Sequence, residues 1–191
     1  LNEGGHLHLD YDASLTRTAA QAFEARAGNC LSLVVMTAAF ARELELRVDY
    51  HSVHIEEVWS RSRNFVMLSG HVNLSLSHGI RDINQGVSRV GALIIDFIPI
   101  DDETRQRAVG LSEDTIVAMF MNNRAVELME QGDLNSAYAM LRTALKADPS
   151  YLNAVNTLGV LYRRHGDRDL AERSLRWVLT QEPRNLQALS N

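Results

Sequence analysis

The sequence predicts an α+β domain, with a helix packed on an antiparallel sheet, followed by an all-α region of helical hairpins. Two observations lead to this prediction. An apolar run over residues 30–41 precedes several short apolar and β-branched segments, which is typical of a helix followed by neighbouring strands. Towards the C-terminus, apolar residues instead recur at helical spacing. We therefore expect an α+β domain over residues 1–109 and the hairpins over residues 110–191.

The N-terminal domain is predicted to contain one helix and several strands. The helix is expected over Phe23–Leu44, and an extended segment over Val48–Trp59. Short strands are expected over Phe65–Leu68 and His71–Leu76, and a buried strand over Gly91–Ile98. Because these strands follow one another closely in the chain, we expect them to pair in an antiparallel sheet that covers the helix.

Length, composition and charge bound the classes of function. The 191 residues are 46% hydrophobic, which is normal for a packed globular chain. Nineteen basic residues are scattered among 24 acidic ones with a formal net charge of −5, so we expect no nucleic-acid partner. The longest apolar stretch, Leu31 to Phe40, is far shorter than the roughly 20 residues of a membrane-spanning helix. Since the chain begins at Leu1, we expect a fragment or a processed form in which any leader would be missing, so cytoplasm and periplasm both stay open.

The C-terminal region repeats at an interval of 34 residues. Gly132 aligns with Gly166, and Pro149 with Pro183. The same interval joins three further pairs of identical residues: Ala137 with Ala171, Leu141 with Leu175, and Leu145 with Leu179. Each copy is predicted to form two amphipathic helices that are joined at the glycine and closed by the proline. The copies span residues 118–151 and 152–185, and a truncated third copy from residue 186 is left open.

This helix-turn-helix unit resembles the tetratricopeptide repeat (TPR) family. The signature residues of that family are matched by Leu158, Gly159, Tyr162, Ala171 and Pro183. The resemblance implies a protein or peptide partner. It also implies a peptide-binding groove lined by residues from both copies: Asn122, Val126, Met129, Asn156, Val160 and Arg163. A second possibility is that this groove receives another part of the same chain.

Cys30 is the single cysteine, so it is either a small buried hydrophobe or a reactive thiol. Asn29 is suited to be the N-cap of a helix that begins at Cys30. In the first helical turn, unpaired backbone N–H groups and the helix dipole stabilise a thiolate and can hold a developing oxyanion. We therefore expect a reactive Cys30 with a lowered pKa, and a second oxyanion donor from upstream in the chain.

A thiol nucleophile needs a base and a group that orients the base. His71, which opens a predicted strand, is the candidate base. Asp96 ends an apolar run and is the candidate orienting carboxylate, because a buried carboxylate is costly unless it is paired. The alternatives are a strand histidine bonded to a backbone carbonyl and an aspartate in a turn.

Three motifs occur in the order Cys, His, Asp: GNCLSL, SGHVNL and LIIDFIP. Together they resemble the core of the transglutaminase-like superfamily, which has a papain-like cysteine fold, over about Tyr11 to Pro99. The resemblance implies that Cys30 starts a helix packed on an antiparallel sheet, with His71 and Asp96 on adjacent strands. Members include transglutaminases, peptidases, amidases and inactive relatives, and the pairing with TPR repeats is similar to a recurring bacterial arrangement. The segment over residues 76–88 is longer than in the family and is expected to form part of a cleft or a lid.

Two functions follow from these patterns. In the first, Cys30, His71 and Asp96 form the triad of an amide-bond hydrolase or acyl-transferase that also carries a protein-binding TPR region. In the second, the TPR region is an interaction scaffold and the cysteine domain is catalytically silent. No cofactor is expected. The pairs His6 with His8 and His51 with His54 do not predict a metal site, because no supporting cysteine or acidic triad accompanies them and residues three apart, such as 51 and 54, face opposite sides of a strand.

Overall fold

The computed structural model describes residues 8–53, 59–62, 65–68, 71–77, 92–98 and 108–191. These residues divide between two units. The first unit comprises Leu1–Ile55 and His71–Leu111, and the second comprises Glu56–Gly70 and Ser112–Asn191. Within the described ranges, no helix is both long and apolar enough to span a membrane.

The first unit contains two helices and six strands among its described residues. In chain order they are β1 (Asp10–Tyr11), α1 (Ala19–Ala25), β2 (Ala27–Gly28), α2 (Cys30–Glu43), β3 (Arg47–Val53), β6 (His71–Ser77), β7 (Leu93–Ile95) and β8 (Val109–Leu111). The second unit contributes β4 (Trp59–Ser62), β5 (Phe65–Leu68), α3 (Glu113–Glu130), α4 (Leu134–Ala147), α5 (Leu152–His165), α6 (Arg168–Gln181) and α7 (Leu186–Ser190).

The main sheet of the first unit is antiparallel, with strand order β7-β6-β3-β8. Helix α2 contacts β6 and β3 and buries Leu31, Leu33 and Val34 among other apolar residues. This is the helix on an antiparallel sheet that the sequence predicts. The cross-strand pair Val53 and His71 marks one end of the β3–β6 ladder and fixes the register of the strand on which the candidate base lies.

The predicted single helix over Phe23–Leu44 is wrong, because the chain forms two helices with a short strand between them. Thr18 starts α1, and its hydroxyl and the Gln21 side chain each bond the backbone N–H of the other residue. Arg26 then adopts a left-handed conformation with φ of 50°, which ends the helix. Glycine is the usual residue at such a position, so the arginine gives no sequence signal for the break.

The predicted burial of the strand over Gly91–Ile98 is also wrong for its described residues. Strand β7 spans three of them and lies at the edge of the sheet, where Leu93 is 62% exposed and Ile94 is also exposed. An apolar run predicts burial only when layers cover both faces of a strand. Gly91 itself lies outside the described residues.

In the second unit, α3 and α4 form one antiparallel hairpin, and α5 and α6 form another. Gly132 and Gly166 have φ values of 85° and 102°, the left-handed geometry that glycine adopts without strain. Helix α3 begins five residues before the predicted start at 118, because Ser112 caps it by accepting the Thr115 N–H at 3.0 Å. Helix α7 begins at residue 186, the position at which the sequence allows a truncated third copy to start.

Helices α5 and α6 approach each other closely at Gly159. A Cβ atom at this position would lie 2.9 Å from Leu175 Cγ and 3.4 Å from the carbonyl oxygen of Ala171. We expect Gly159→Val to lower the free energy of unfolding by about 1–3 kcal/mol, because the larger side chain overpacks the contact. Urea unfolding measures this change. The matched control is Ala139→Val on the exposed face of α4, and equal losses in the two variants would contradict the prediction.

Candidate functional site

The three candidate catalytic residues lie at the ends of elements in the first unit. Cys30 is the first residue of α2, His71 is the first residue of β6, and Asp96 directly follows β7. Helix α2 packs on β6, and β6 pairs with β7 through Leu74 and Ile95. The antiparallel pairing of β6 with β7 therefore brings Asp96 close to His71, although the two residues are 25 positions apart in the chain.

His71 and Asp96 form a buried hydrogen-bonded pair. The distance between His71 Nε2 and Asp96 Oδ1 is 2.5 Å, and both side chains are almost fully buried. Asp96 Oδ1 also accepts the backbone N–H of Ile98 at 3.0 Å, and Oδ2 accepts the amide of Asn73 at 2.9 Å. Because a carboxylate only accepts, Nε2 carries the proton in this pair. A carboxylate with several donors holds the imidazole in one orientation.

The other ring nitrogen of His71 has a different environment. His71 Nδ1 is buried and has no hydrogen-bond partner among the residues that the structure describes. With the proton on Nε2, Nδ1 carries a lone pair and can accept a proton. A buried acceptor without a donor costs about 1–3 kcal/mol, and such groups are concentrated at functional sites. The imidazole is therefore fixed by one nitrogen and available as a base through the other.

Cys30 lies next to the strand that carries His71. Its side chain is 8% exposed, and the backbone N–H groups of Val72 and Leu31 act on the sulfur as hydrogen-bond donors. Burial nevertheless raises the pKa of the Cys30 thiol above its ordinary value of 9.0. These two N–H groups and that of Cys30 itself only partly offset the loss of solvation, and the negative charge of Asp96 raises the pKa further. The expected lowering of this pKa is therefore wrong, because desolvation outweighs the amides at the helix start.

A polar network holds the start of α2 in place. Asn29 is the N-cap, as predicted, and its Oδ1 accepts the backbone N–H of Ser32 at 2.9 Å. The Asn29 amide donates to Thr16 Oγ1 at 2.9 Å, and the backbone N–H of Arg17 donates to Ser32 Oγ at 2.8 Å. Gly28 permits this packing, because a Cβ atom there would lie 2.8 Å from Ser32 Cβ. The segment before α1 is thus tied to the residues that flank Cys30.

Asn73 belongs to the candidate site and was missed by the sequence analysis. It bonds the carboxylate that bonds His71, and it lies two residues along the same strand. Alternate residues of a strand point to the same face, so a polar residue at 73 in the apolar stretch after His71 was an available signal. Its amide satisfies one oxygen of the buried carboxylate of Asp96.

The predicted groove residues lie in the second unit, and five of the six are buried there: Asn122, Val126, Met129, Asn156 and Val160. Val126, Met129 and Val160 belong to its apolar core. The amide of Asn191 donates to Asn156 Oδ1 at 3.3 Å, and the guanidinium of Arg163 donates to the Asn191 backbone oxygen. Asn156 and Arg163 therefore contact the last residue of the same chain, while a peptide-binding groove formed by the six residues stays a prediction.

Other sequence predictions fall wholly or partly outside the described residues. The predicted cleft or lid over residues 76–88 lies there from residue 78 onward. His6 and His54 lie outside as well. Of their partners, His51 has Nε2 3.0 Å from Ser75 Oγ, and His8 has Nε2 3.0 Å from Asp10 Oδ1. Within the described ranges, no group of three or more His, Cys, Asp and Glu residues is suited to hold a metal ion.

The comparisons with known proteins concern the second unit. A tetratricopeptide repeat family model matches residues 128–190, from the end of α3 through α7. The match agrees with the repeat interval and with the glycine turns. Tetratricopeptide repeats are protein-binding elements, so this region implies protein partners. No solved structure matches the chain significantly.

Proposed function

We propose that the chain is a cysteine-dependent amide-bond hydrolase or acyl-transferase, with a TPR region that binds a protein or peptide. Cys30 is the nucleophile, His71 the general base and Asp96 the residue that orients the base. The observation that carries the proposal is the asymmetric imidazole of His71, which is bonded to a buried carboxylate at Nε2 and has no partner at Nδ1 among the described residues. A histidine that served only the fold has no need of an unsatisfied buried nitrogen.

The proposed reaction has two stages, the formation of a thioester on Cys30 and the cleavage of that thioester. Cys30 Sγ attacks the carbonyl carbon of an amide while its proton passes to His71 Nδ1, and the carbonyl oxygen becomes an oxyanion. The imidazolium of His71 then gives the proton to the departing amine, and a thioester remains on Cys30. Water attacks the thioester in hydrolysis, and a second amine attacks it in acyl transfer.

The raised pKa of the Cys30 thiol agrees with proton transfer during attack rather than with a preformed thiolate. In the resting site the thiol is neutral because it is buried. The backbone N–H groups of Val72 and Leu31 act to lower the pKa of the thiol and so favour negative charge on the sulfur as it develops. General-base catalysis starts from such a protonated thiol, whose proton the base removes during attack.

The same geometry supports the resemblance to the transglutaminase-like superfamily. In both, the cysteine starts a helix that packs on an antiparallel sheet, and the histidine and aspartate follow on neighbouring strands. The second candidate, a silent domain beside a TPR scaffold, is favoured by one observation, the 8% exposure of Cys30. The two candidates differ in whether an acyl donor reaches the sulfur.

Acylation by p-nitrophenyl acetate, compared with alkylation by iodoacetamide, separates these candidates. At neutral pH we expect Cys30 to be alkylated more slowly than N-acetylcysteine, because its raised pKa leaves less thiolate than in a free thiol. Acetylation by the ester is expected to be faster than for N-acetylcysteine, because His71 removes the proton during attack. Intact-mass spectrometry follows both products, with Cys30→Ala as the control. A thiol that is slower than N-acetylcysteine with both reagents would favour the silent domain.

A further inference from the structure

Tyr11 ends a short strand that pairs with the residues just before Cys30. Strand β1 runs parallel to β2, and Tyr11 lies opposite Gly28. The backbone N–H of Asp10 donates to the carbonyl of Arg26 at 2.9 Å, and that of Asp12 donates to the carbonyl of Gly28 at 3.0 Å. Both neighbours of Tyr11 are therefore bonded to the segment that leads into α2.

The residues that follow Tyr11 are also held in place by hydrogen bonds and an ion pair. Asp12 Oδ1 accepts the backbone N–H of Ser14 at 2.9 Å, and its Oδ2 lies 2.8 Å from the Arg17 guanidinium. The backbone N–H of Arg17 in turn bonds Ser32 in the first turn of α2. These bonds fix the backbone at Tyr11 on both sides, so the phenol is presented from a defined position.

The hydroxyl of Tyr11 lies beside Cys30. The backbone N–H of Cys30 acts on the phenol oxygen as a hydrogen-bond donor, and the thiolate of Cys30, when it is charged, repels the phenolate. Partial burial and this repulsion together raise the pKa of Tyr11 above its ordinary value of 10.0, with the Cys30 N–H offsetting part of the rise. The phenol therefore keeps its proton throughout the neutral range.

Exposure distinguishes Tyr11 from the other groups around the sulfur. The tyrosine is 52% exposed, whereas Cys30 and His71 are buried. Of these three side chains, Tyr11 is therefore the one that solvent reaches most. A phenol oxygen that accepts the Cys30 N–H keeps its own O–H for another acceptor, such as an incoming carbonyl oxygen.

We propose that Tyr11 is a further catalytic residue, whose hydroxyl donates a hydrogen bond to the oxyanion that forms when Cys30 attacks an amide or ester carbonyl. This assignment rests on the proposed function. In this arrangement the Cys30 N–H donates to the phenol oxygen, and the phenol O–H donates to the oxyanion. The first hydrogen bond strengthens the second as negative charge develops on the carbonyl oxygen. Tyr11 is thus the second oxyanion donor that the sequence led us to expect upstream of Cys30. No bond to Tyr11 forms or breaks, and its proton stays on the phenol.

Tyr11→Phe tests the proposal, because it removes the hydroxyl and keeps the ring. Acetylation of Cys30 by p-nitrophenyl acetate passes through an oxyanion, whereas alkylation by iodoacetamide does not. We expect Tyr11→Phe to lower the acetylation rate by about 10²–10³-fold and to leave the alkylation rate within about twofold of wild type. Tyr138→Phe in α4, a tyrosine that is also partly exposed, makes the same chemical change in the second unit and is expected to alter neither rate.

Each outcome of this experiment supports or overturns the role of Tyr11. Selective loss of acetylation supports it. Unchanged acetylation in Tyr11→Phe, with rapid acetylation in wild type, overturns the role of Tyr11 and leaves the proposed function standing. Faster acetylation and alkylation together mean that the phenol covers the sulfur, which also overturns it. If wild-type Cys30 is acetylated no faster than N-acetylcysteine, the proposed function fails and this inference fails with it. Melting temperatures establish that both variants are folded.

Discussion

Replacing His71 is expected to lower the rate of Cys30 acetylation by about 10²–10⁴-fold, the usual contribution of a general base. The physical reason is the raised pKa of the buried thiol, which leaves little thiolate at neutral pH unless a base removes the proton during attack. Because His71→Ala leaves the buried carboxylate of Asp96 without its imidazole partner, it also threatens the fold. We therefore choose His71→Gln, which keeps an N–H donor for Asp96 and removes the basic nitrogen.

The matched control for His71→Gln is His51→Gln. His51 lies on the neighbouring strand β3, opposite Asn73, and its Nε2 lies 3.0 Å from Ser75 Oγ. We expect this control to retain the wild-type acetylation rate, as measured by release of p-nitrophenol. Equal losses in the two variants would show that the sheet, and not the base, had been perturbed. Unchanged rates in both would remove His71 from the mechanism.

The largest expected effect on stability comes from Leu141→Ala in the first helical hairpin. Leu141 is fully buried in the apolar core of the second unit, which also contains Ala118, Ala125 and Ala137. Its truncation removes apolar contacts and leaves a cavity, so we expect the free energy of unfolding to fall by about 2–5 kcal/mol. Repeat arrays are stabilised by contacts between neighbouring units, so a cavity in the first hairpin also weakens the packing of the second hairpin on it.

Urea unfolding followed by the helical circular-dichroism signal measures the effect of Leu141→Ala. Leu170→Ala is the matched control, because it makes the same truncation on α6 at a residue that is 39% exposed. We expect the control to cost much less, since a partly exposed leucine leaves no closed cavity. Similar midpoints for the two variants would contradict the assignment of Leu141 to the core.

Features encoded by neighbouring residues were predictable from the sequence. The glycine turns at Gly132 and Gly166 follow from the repeat interval and from the conformational freedom of glycine. The N-cap at Asn29 follows from side-chain chemistry within three residues. For His71 and Asp96, the order of the motifs suggested a contact that the structure contains, while their catalytic role stays a prediction.

The sequence by itself determined the helical repeats and the start of α2, because periodicity, turns and caps depend on residues close together in the chain. Only the tertiary structure decided the state of Cys30, since its pKa depends on how deeply the fold buries the sulfur and on charges from distant strands. Tertiary structure likewise decided that β7 is an exposed edge and that His71 Nδ1 has no described partner. Each of these properties depends on residues that are distant in the chain and that only the fold brings together, so no local sequence pattern predicts it.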